Sequence, residues 1–184
     1  MALPTADELE AARARPLPDV LPGPADPRLR VLFCGINPGL VSAATGHHFA
    51  RPGNRFWPVL HDSGFTPRLL RPAEQGELPA WGLGITNMAS RPTARADELT
   101  DAELVEGGTV LRALVEQFSP GWLAVVGIGA YRTVFDDRGA TVGAQEPTIG
   151  ATRIWVLPNP SGLNAHWSRE RMVTEFARLR AAAF

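Results

Sequence analysis

Lysine is absent from this chain: all 18 basic residues are arginine. That removes mechanisms built on a side-chain amine, among them the phosphate-gripping lysine of a P-loop enzyme and Schiff-base catalysis. Only the amine of Met1 could substitute. Cysteine is almost absent as well. Cys34 stands alone, so an intrachain disulfide, a four-cysteine iron–sulfur cluster and a zinc knuckle are excluded. Its place in the apolar run Val31-Leu32-Phe33-Cys34 predicts a buried, inert thiol. The four histidines, His47, His48, His61 and His166, complete no ligand spacing, so neither metal nor cofactor is expected. No apolar run approaches the length of a bilayer span, and Met1 to Glu8 lacks a basic region followed by an apolar one. These two absences predict a cytoplasmic chain without membrane contact. The net charge of −1 gives no global attraction to polyanions, so any basic surface must be local. Acidic residues gather at Asp7 to Glu10 and Asp97 to Glu106, whereas Arg51, Arg55, Arg169, Arg171, Arg178 and Arg180 offer a modest positive face.

What is present reads as one well-buried domain. A chain of 184 residues that is 45% hydrophobic has the length for a single core, and monomer is the default expectation. Thr5-Ala6-Asp7-Glu8 is a capping box that opens a short helix ending before Pro16. Pro16, Pro18, Pro22, Pro24 and Pro27 then make an extended arm with no packing pattern of its own. Residues 1–28 are accordingly read as a helix and proline-rich arm packed on or flanking the domain, and residues 29–184 as the single domain. Four strands are predicted within it, Arg30 to Gly35, Gly82 to Thr86, Trp122 to Val126 and Arg153 to Leu157. Between them lie helical stretches: Asn54 to His61, a capping box at Thr100 followed by Leu104, Val105, Leu111, Leu114, Val115 and Phe118, then Tyr131 to Phe135. A last helix is capped by Ser168. Gly107-Gly108 should weaken the second of these. Strands separated by helices imply parallel pairing and a three-layer α/β/α sandwich around a short, mainly parallel sheet.

Two polar loops leave the C-terminal ends of predicted strands, where ligands bind in such folds. The first is Gly35-Ile36-Asn37-Pro38-Gly39-Leu40; Pro38 restrains Asn37, and the glycines permit turns and close backbone approach. The second is Pro158-Asn159-Pro160-Ser161-Gly162-Leu163, also rigid and polar. Topology alone puts Asn37 and Ser161 on one edge of the sheet, beside one cleft. Asn37 neither takes up nor releases a proton near neutral pH, so it can orient a reactant but cannot act as a strong base.

These loops, together with Gly46-His47-His48-Phe49, Pro52-Gly53-Asn54-Arg55-Phe56-Trp57, Gly84-Ile85-Thr86-Asn87-Met88 and Arg91-Pro92-Thr93, occur in the order and approximate spacing of a known family. From about Leu29 to the C-terminus the chain resembles the mismatch-specific uracil-DNA glycosylases and thymine-DNA glycosylases. The resemblance implies a monofunctional enzyme of base excision repair. It would hydrolyse the N-glycosidic bond of uracil, and of thymine or bulky modified pyrimidines, in double-stranded DNA, preferentially opposite guanine, after flipping the nucleotide out. In that reading Asn37 holds the attacking water, Gly35 and Ile36 line the base pocket, and backbone N–H groups near Ile36 and Phe49 meet the pyrimidine oxygens. The Phe49 ring stacks on the base. Leu163 enters the duplex as a wedge and Ser161 binds a phosphate; Gly162 approaches the opposite guanine, while Asn159 and the prolines, Pro160 included, shape the loop. Phe56 and Trp57 are expected in the core.

The motifs mix two patterns. Asn87 and His47-His48 follow the vertebrate thymine-type enzymes, whereas Ser42 and the loop Asn159 to Leu163 follow the bacterial form. Asn164 replaces the serine usual after the bacterial wedge. Ser42 and Asn87 are therefore the candidates for setting substrate range. Two other classes remain open on the residues: a catalytically silent lesion sensor of the same fold, and a small-molecule nucleotide binder using the Gly35 to Gly39 turn as an anion cradle.

Overall fold

The computed structural model describes residues 3–184, and the Met1 amine lies outside them. After α1 (Ala6–Ala11) and a 3-10 turn at Ala12–Ala14 come β1 (Val31–Gly35), α2 (Leu40–Thr45) and α3 (Phe56–Asp62). A 3-10 stretch at Pro72–Trp81 leads to β2 (Leu83–Asn87) and, past a short turn at Ala96–Glu98, to α4 (Asp101–Phe118). The chain ends with β3 (Trp122–Val126), α5 (Ile128–Phe135), β4 (Gly143–Ile149), β5 (Thr152–Leu157) and α6 (Arg169–Ala183). The five strands lie in the order β2-β1-β3-β5-β4 and run parallel, except that β4 is antiparallel to β5.

Side-chain alternation divides the core into two layers. Val31 and Phe33 pack with Phe56 and Trp57 of α3 and with Met172, Phe176 and Leu179 of α6. Leu32 and Cys34 face the other way, onto Leu111 and Val115 of α4 and Tyr131 of α5. Strands covered on both faces need no polar alternation, which is why they read as continuous apolar runs. Cys34 is fully buried, and the loss of water pushes its thiol pKa far up, as an inert role requires. Thr5 and Thr100 close their capping boxes, and the Ser168 side chain accepts from the Arg171 N–H to start α6. Caps of this kind contribute about 1 kcal/mol each.

Three features depart from the expectation. The edge strand β4 has no apolar alternation, and its register breaks between Gln145 and Thr148, beside Pro147. An edge with a bulge is where a sheet tolerates proline. Helix α2 is only six residues long, set between Gly39 and Gly46, too short to show a period. Val105 is half exposed and belongs to the solvent face of α4, not to its buried stripe.

The proline-rich arm, which has no packing pattern of its own in the sequence, is docked on the domain. Leu17 and Val20 are buried, the Val20 N–H donates to the Ile85 carbonyl at 2.8 Å, and the Ile85 N–H returns the bond at 2.9 Å. Val20 keeps the N–H that its proline neighbours lack, so the arm can cover the free edge of β2.

Candidate active site

The register Gly35↔Asn87 places the ends of β1 and β2 side by side, and the loops beyond them are stitched together. The Met88 N–H donates to the Gly35 carbonyl at 2.8 Å and the Ala89 N–H to the Ile36 carbonyl at 2.9 Å. Farther out, the Thr93 N–H reaches the Pro38 carbonyl at 3.1 Å and the Leu40 N–H the Thr93 carbonyl at 3.2 Å. Within this frame both amide hydrogens of Asn37 are used. Its Nδ2 donates to the Arg91 carbonyl at 2.8 Å and to Thr93 Oγ1 at 2.7 Å. The Asn37 Oδ1 therefore has a fixed direction. Arg91 is itself anchored by Glu103, at 2.5 and 3.1 Å, and by the Glu98 carbonyl at 2.8 Å.

The loop following α2 supplies the aromatic wall. Phe49 holds a left-handed backbone with φ of 54°, uncommon for an aromatic residue, and its ring stacks on Phe56 with centroids 3.9 Å apart. Phe56 and Trp57 are core residues, as expected. The Phe49 N–H finds no acceptor among the described residues, while the neighbouring Ala50 N–H donates to Ser42 Oγ at 3.1 Å. At Gly35 a side chain has no room. A Cβ there would lie 2.6 Å from Asn87 Oδ1 and 3.4 Å from the Phe49 ring.

The second loop is shaped by its own side chains and by one arginine. Asn159 Oδ1 accepts from the Ser161 N–H at 2.9 Å, Ser161 Oγ from the Leu163 N–H at 3.3 Å, and the Asn164 amide donates to the Asn159 carbonyl at 2.9 Å. The Arg55 backbone N–H binds the Pro160 carbonyl at 2.9 Å. Its guanidinium reaches the carbonyls of Trp167, Ser161 and Asn164 at 2.6, 2.7 and 2.9 Å. A Cβ on Gly162 would stand 2.7 Å from the Gly53 carbonyl oxygen, so this glycine lets two loops touch. Leu163 is left 73% exposed at the tip, although it is apolar.

Both loops and the aromatic wall open onto a cleft of about 490 Å³, lined by Ile36, Asn37, Ser42, Phe49, Asn87 and Leu163 among others. The size suits one nucleotide base with its sugar. The profile of the uracil DNA glycosylase superfamily matches residues 22–181. The chain belongs to that superfamily. Its activity is accordingly that of a DNA glycosylase, a hydrolase of DNA repair that acts on DNA. No helix among the described residues is long and apolar enough to cross a membrane, and none of their His, Cys, Asp and Glu side chains form a metal-holding group.

Each residue singled out in the sequence for the glycosylase site lies at this end of the sheet. The supposed positive face does not hold together in the same way. Arg55 turns both terminal guanidinium nitrogens to carbonyls, of Trp167 and of Ser161 and Asn164, and Arg169 pairs with Asp62 at 2.6 Å. Arg178 pairs with Glu175 at 2.8 Å, and Arg171 lies over the Trp167 ring at 4.6 Å. Arg51 and Arg180 make no ion pair among the described residues; both are exposed, and of the two only Arg51 stands on the cleft wall, where it can meet a phosphate. The sequence reading missed Arg55 as the staple between loops, Thr93 as the partner of Asn37, and His48 as part of the wall. Arg55 sits inside the Pro52 to Trp57 motif, a signal that went unread because an arginine beside a cleft suggests phosphate first.

Proposed function

We propose that this superfamily member is a monofunctional glycosylase that hydrolyses the N-glycosidic bond of uracil or a modified pyrimidine in double-stranded DNA, preferentially opposite guanine. The nucleotide is flipped into the cleft, and an abasic site is left. The observation that carries this reading is the double use of the Asn37 amide hydrogens, which turns Asn37 Oδ1 into a fixed acceptor. A water hydrogen-bonded there is held for attack on the anomeric carbon. The water oxygen bonds to that carbon as the bond to the base breaks, and the departing base carries away the electron pair. Asparagine accepts no proton, so the water's proton passes to solvent or to the base. Without a strong base, the leaving group must depart largely by itself. Uracil and electron-poor pyrimidines then react faster than cytosine.

Phe49, backed by Phe56, offers one ring face to the extruded base, a contact worth about 1–3 kcal/mol. Leu163, exposed at the tip of a braced loop, is suited to fill the gap in the duplex. Thymine and bulky adducts opposite guanine belong to the proposed range, with Ser42 and Asn87 at the wall that would set it.

Single-turnover base release from a labelled duplex with one G·U pair tests the proposal. Asn37→Ala should slow release on the order of 10²-fold or more while DNA binding persists. An Asn37→Ala protein that retains the native rate would remove the proposed role of the amide. A native protein that releases neither uracil nor a bulky pyrimidine would instead be a silent lesion sensor.

A further inference from the structure

Beside the cleft lies a second cavity of about 480 Å³, enclosed by the N-terminal arm, the loop that follows β2 and one face of α4. Leu17, Pro38 and Asn87 line both spaces, so the partition between the two is made of these residues. Two of them belong to the frame of the site. The Pro38 carbonyl is held by the Thr93 N–H at 3.1 Å, and Asn87 ends β2 in register with Gly35. Leu17 belongs to neither the turn nor the sheet. It sits on the arm, which is fixed just beyond it: the Pro18 carbonyl lies 2.9 Å from His48 Nε2, and Val20 exchanges two backbone hydrogen bonds with Ile85. On the arm's side these ties use backbone groups, so the buried Leu17 side chain can change while the arm stays docked. The second cavity is apolar along Met88, Val110, Leu111 and Leu114, with the carboxylates of Asp19 and Glu106 also on its wall. Such a space takes an uncharged flat group and repels a phosphate. Leu17 precedes residue 22, where the superfamily match begins, so this part of the partition lies outside the matched region.

We propose that Leu17 is a specificity-determining residue that sets the largest base the cleft accepts, by closing the cleft off from the second cavity. The inference rests on the glycosylase reading. A flipped pyrimidine is tied to its sugar through N1, and C4 lies across the ring from N1. With the sugar at Asn37 and the ring face on Phe49, a ring fused across N3 and N4 of cytosine extends away from Asn37, toward the partition. Uracil stops short of Leu17, whereas a base longer by a further aromatic ring runs into it and must displace packed side chains. Without the Leu17 side chain the two spaces join, and the added ring is buried against the apolar face of α4.

The test uses the full chain and three duplexes, with uracil, 3,N4-ethenocytosine or its benzo-fused homologue opposite guanine, each read by single-turnover base release. Leu17→Ala should speed release of the benzo-fused base about tenfold and raise its rate relative to uracil by a similar factor. Leu17→Trp, which thickens the partition, should move that ratio the other way. Urea unfolding checks that each variant is folded. Leu17→Val replaces the alanine variant, and Leu17→Phe the tryptophan one, should either fail to fold. A purely structural leucine would give parallel losses on all three duplexes, and that result overturns the proposal. So does a native protein that releases the benzo-fused base as fast as ethenocytosine, or a ratio that moves the same way in the smaller and the larger variant. A native protein that releases uracil alone puts the size limit below ethenocytosine; Leu17→Ala must then admit ethenocytosine, and failure to do so overturns the role. Release of none of the three bases by the native protein overturns the glycosylase reading itself, an outcome visible before any variant is made.

Discussion

Asn37 depends on a neighbour whose own part in the site is silent in the sequence. Thr93 is 1% exposed, and its hydroxyl takes one of the two Asn37 amide hydrogens. Thr93→Val keeps the shape and removes that acceptor. The Asn37 amide then has one anchor, the Arg91 carbonyl, and its oxygen can swing away from the position proposed for the attacking water. Base release from a G·U duplex should fall about tenfold, with unchanged duplex affinity in a binding titration. Leu163 poses the opposite case. Its side chain is 73% exposed and supports no core, so Leu163→Ala should alter stability by less than about 0.5 kcal/mol in urea unfolding. Base release should nevertheless drop, and more from a well-paired duplex than from a single strand, because only the duplex needs a wedge. Equal loss on both substrates would rule out the wedge role proposed for Leu163.

At the scale of elements, close backbone approach outweighs local propensity. In isolation, Gly107 within α4 costs about 1 kcal/mol relative to alanine, which would make Gly107→Ala a stabilising change. The packed structure reverses the sign. A Cβ at Gly107 would stand 1.9 Å from the Met88 carbonyl oxygen, and one at Gly108 2.3 Å from Val134. The helix is thereby drawn against the loop that follows β2, the same loop that braces the Asn37 turn. Gly107→Ala should destabilise by about 1–3 kcal/mol or more, read as a lower urea midpoint, and should also slow base release. The four parallel strands were legible because burial on both faces leaves an apolar run, and α4 and α6 because their caps are local side-chain chemistry. The edge strand β4 was not, since its polar residues with Pro147 owe their pairing to β5 alone. In the site, the motif residues could be placed by topology. The roles of Arg55 and His48 could not, because both depend on carbonyls far along the chain, at Trp167 and Pro18.

Across the whole molecule, the ionisable groups divide the response to acid into two windows. His48 is buried against the Pro18 carbonyl, and desolvation holds its pKa below the ordinary 6.5. The unfolded chain therefore takes up a proton that the folded chain refuses. Stability from this source is complete above about pH 6.5 and declines as pH falls toward the lowered value. The carboxylates act lower down. Glu103, held by Arg91 and the Thr100 N–H, and Glu74, held by the Arg71 N–H and side chain, are drawn from 4.5 to about 2. Their contribution is complete above about pH 4.5 and is lost as pH falls through about 2. Asp19 works in the opposite sense, because burial raises its pKa above 3.8, so folding gains as it protonates. Urea midpoints measured between about pH 8 and 3 should show a first decline below about 6.5 and a second, steeper one below about 4.5. His48→Gln should flatten the first decline and leave the second in place. The lower window also reaches the Asn37 turn, since Glu103 grips the arginine whose carbonyl holds Asn37. Glu103→Gln should therefore lessen the second decline and slow base release at neutral pH. A variant that lessens the decline while keeping the native rate would show that the turn holds Asn37 without that ion pair.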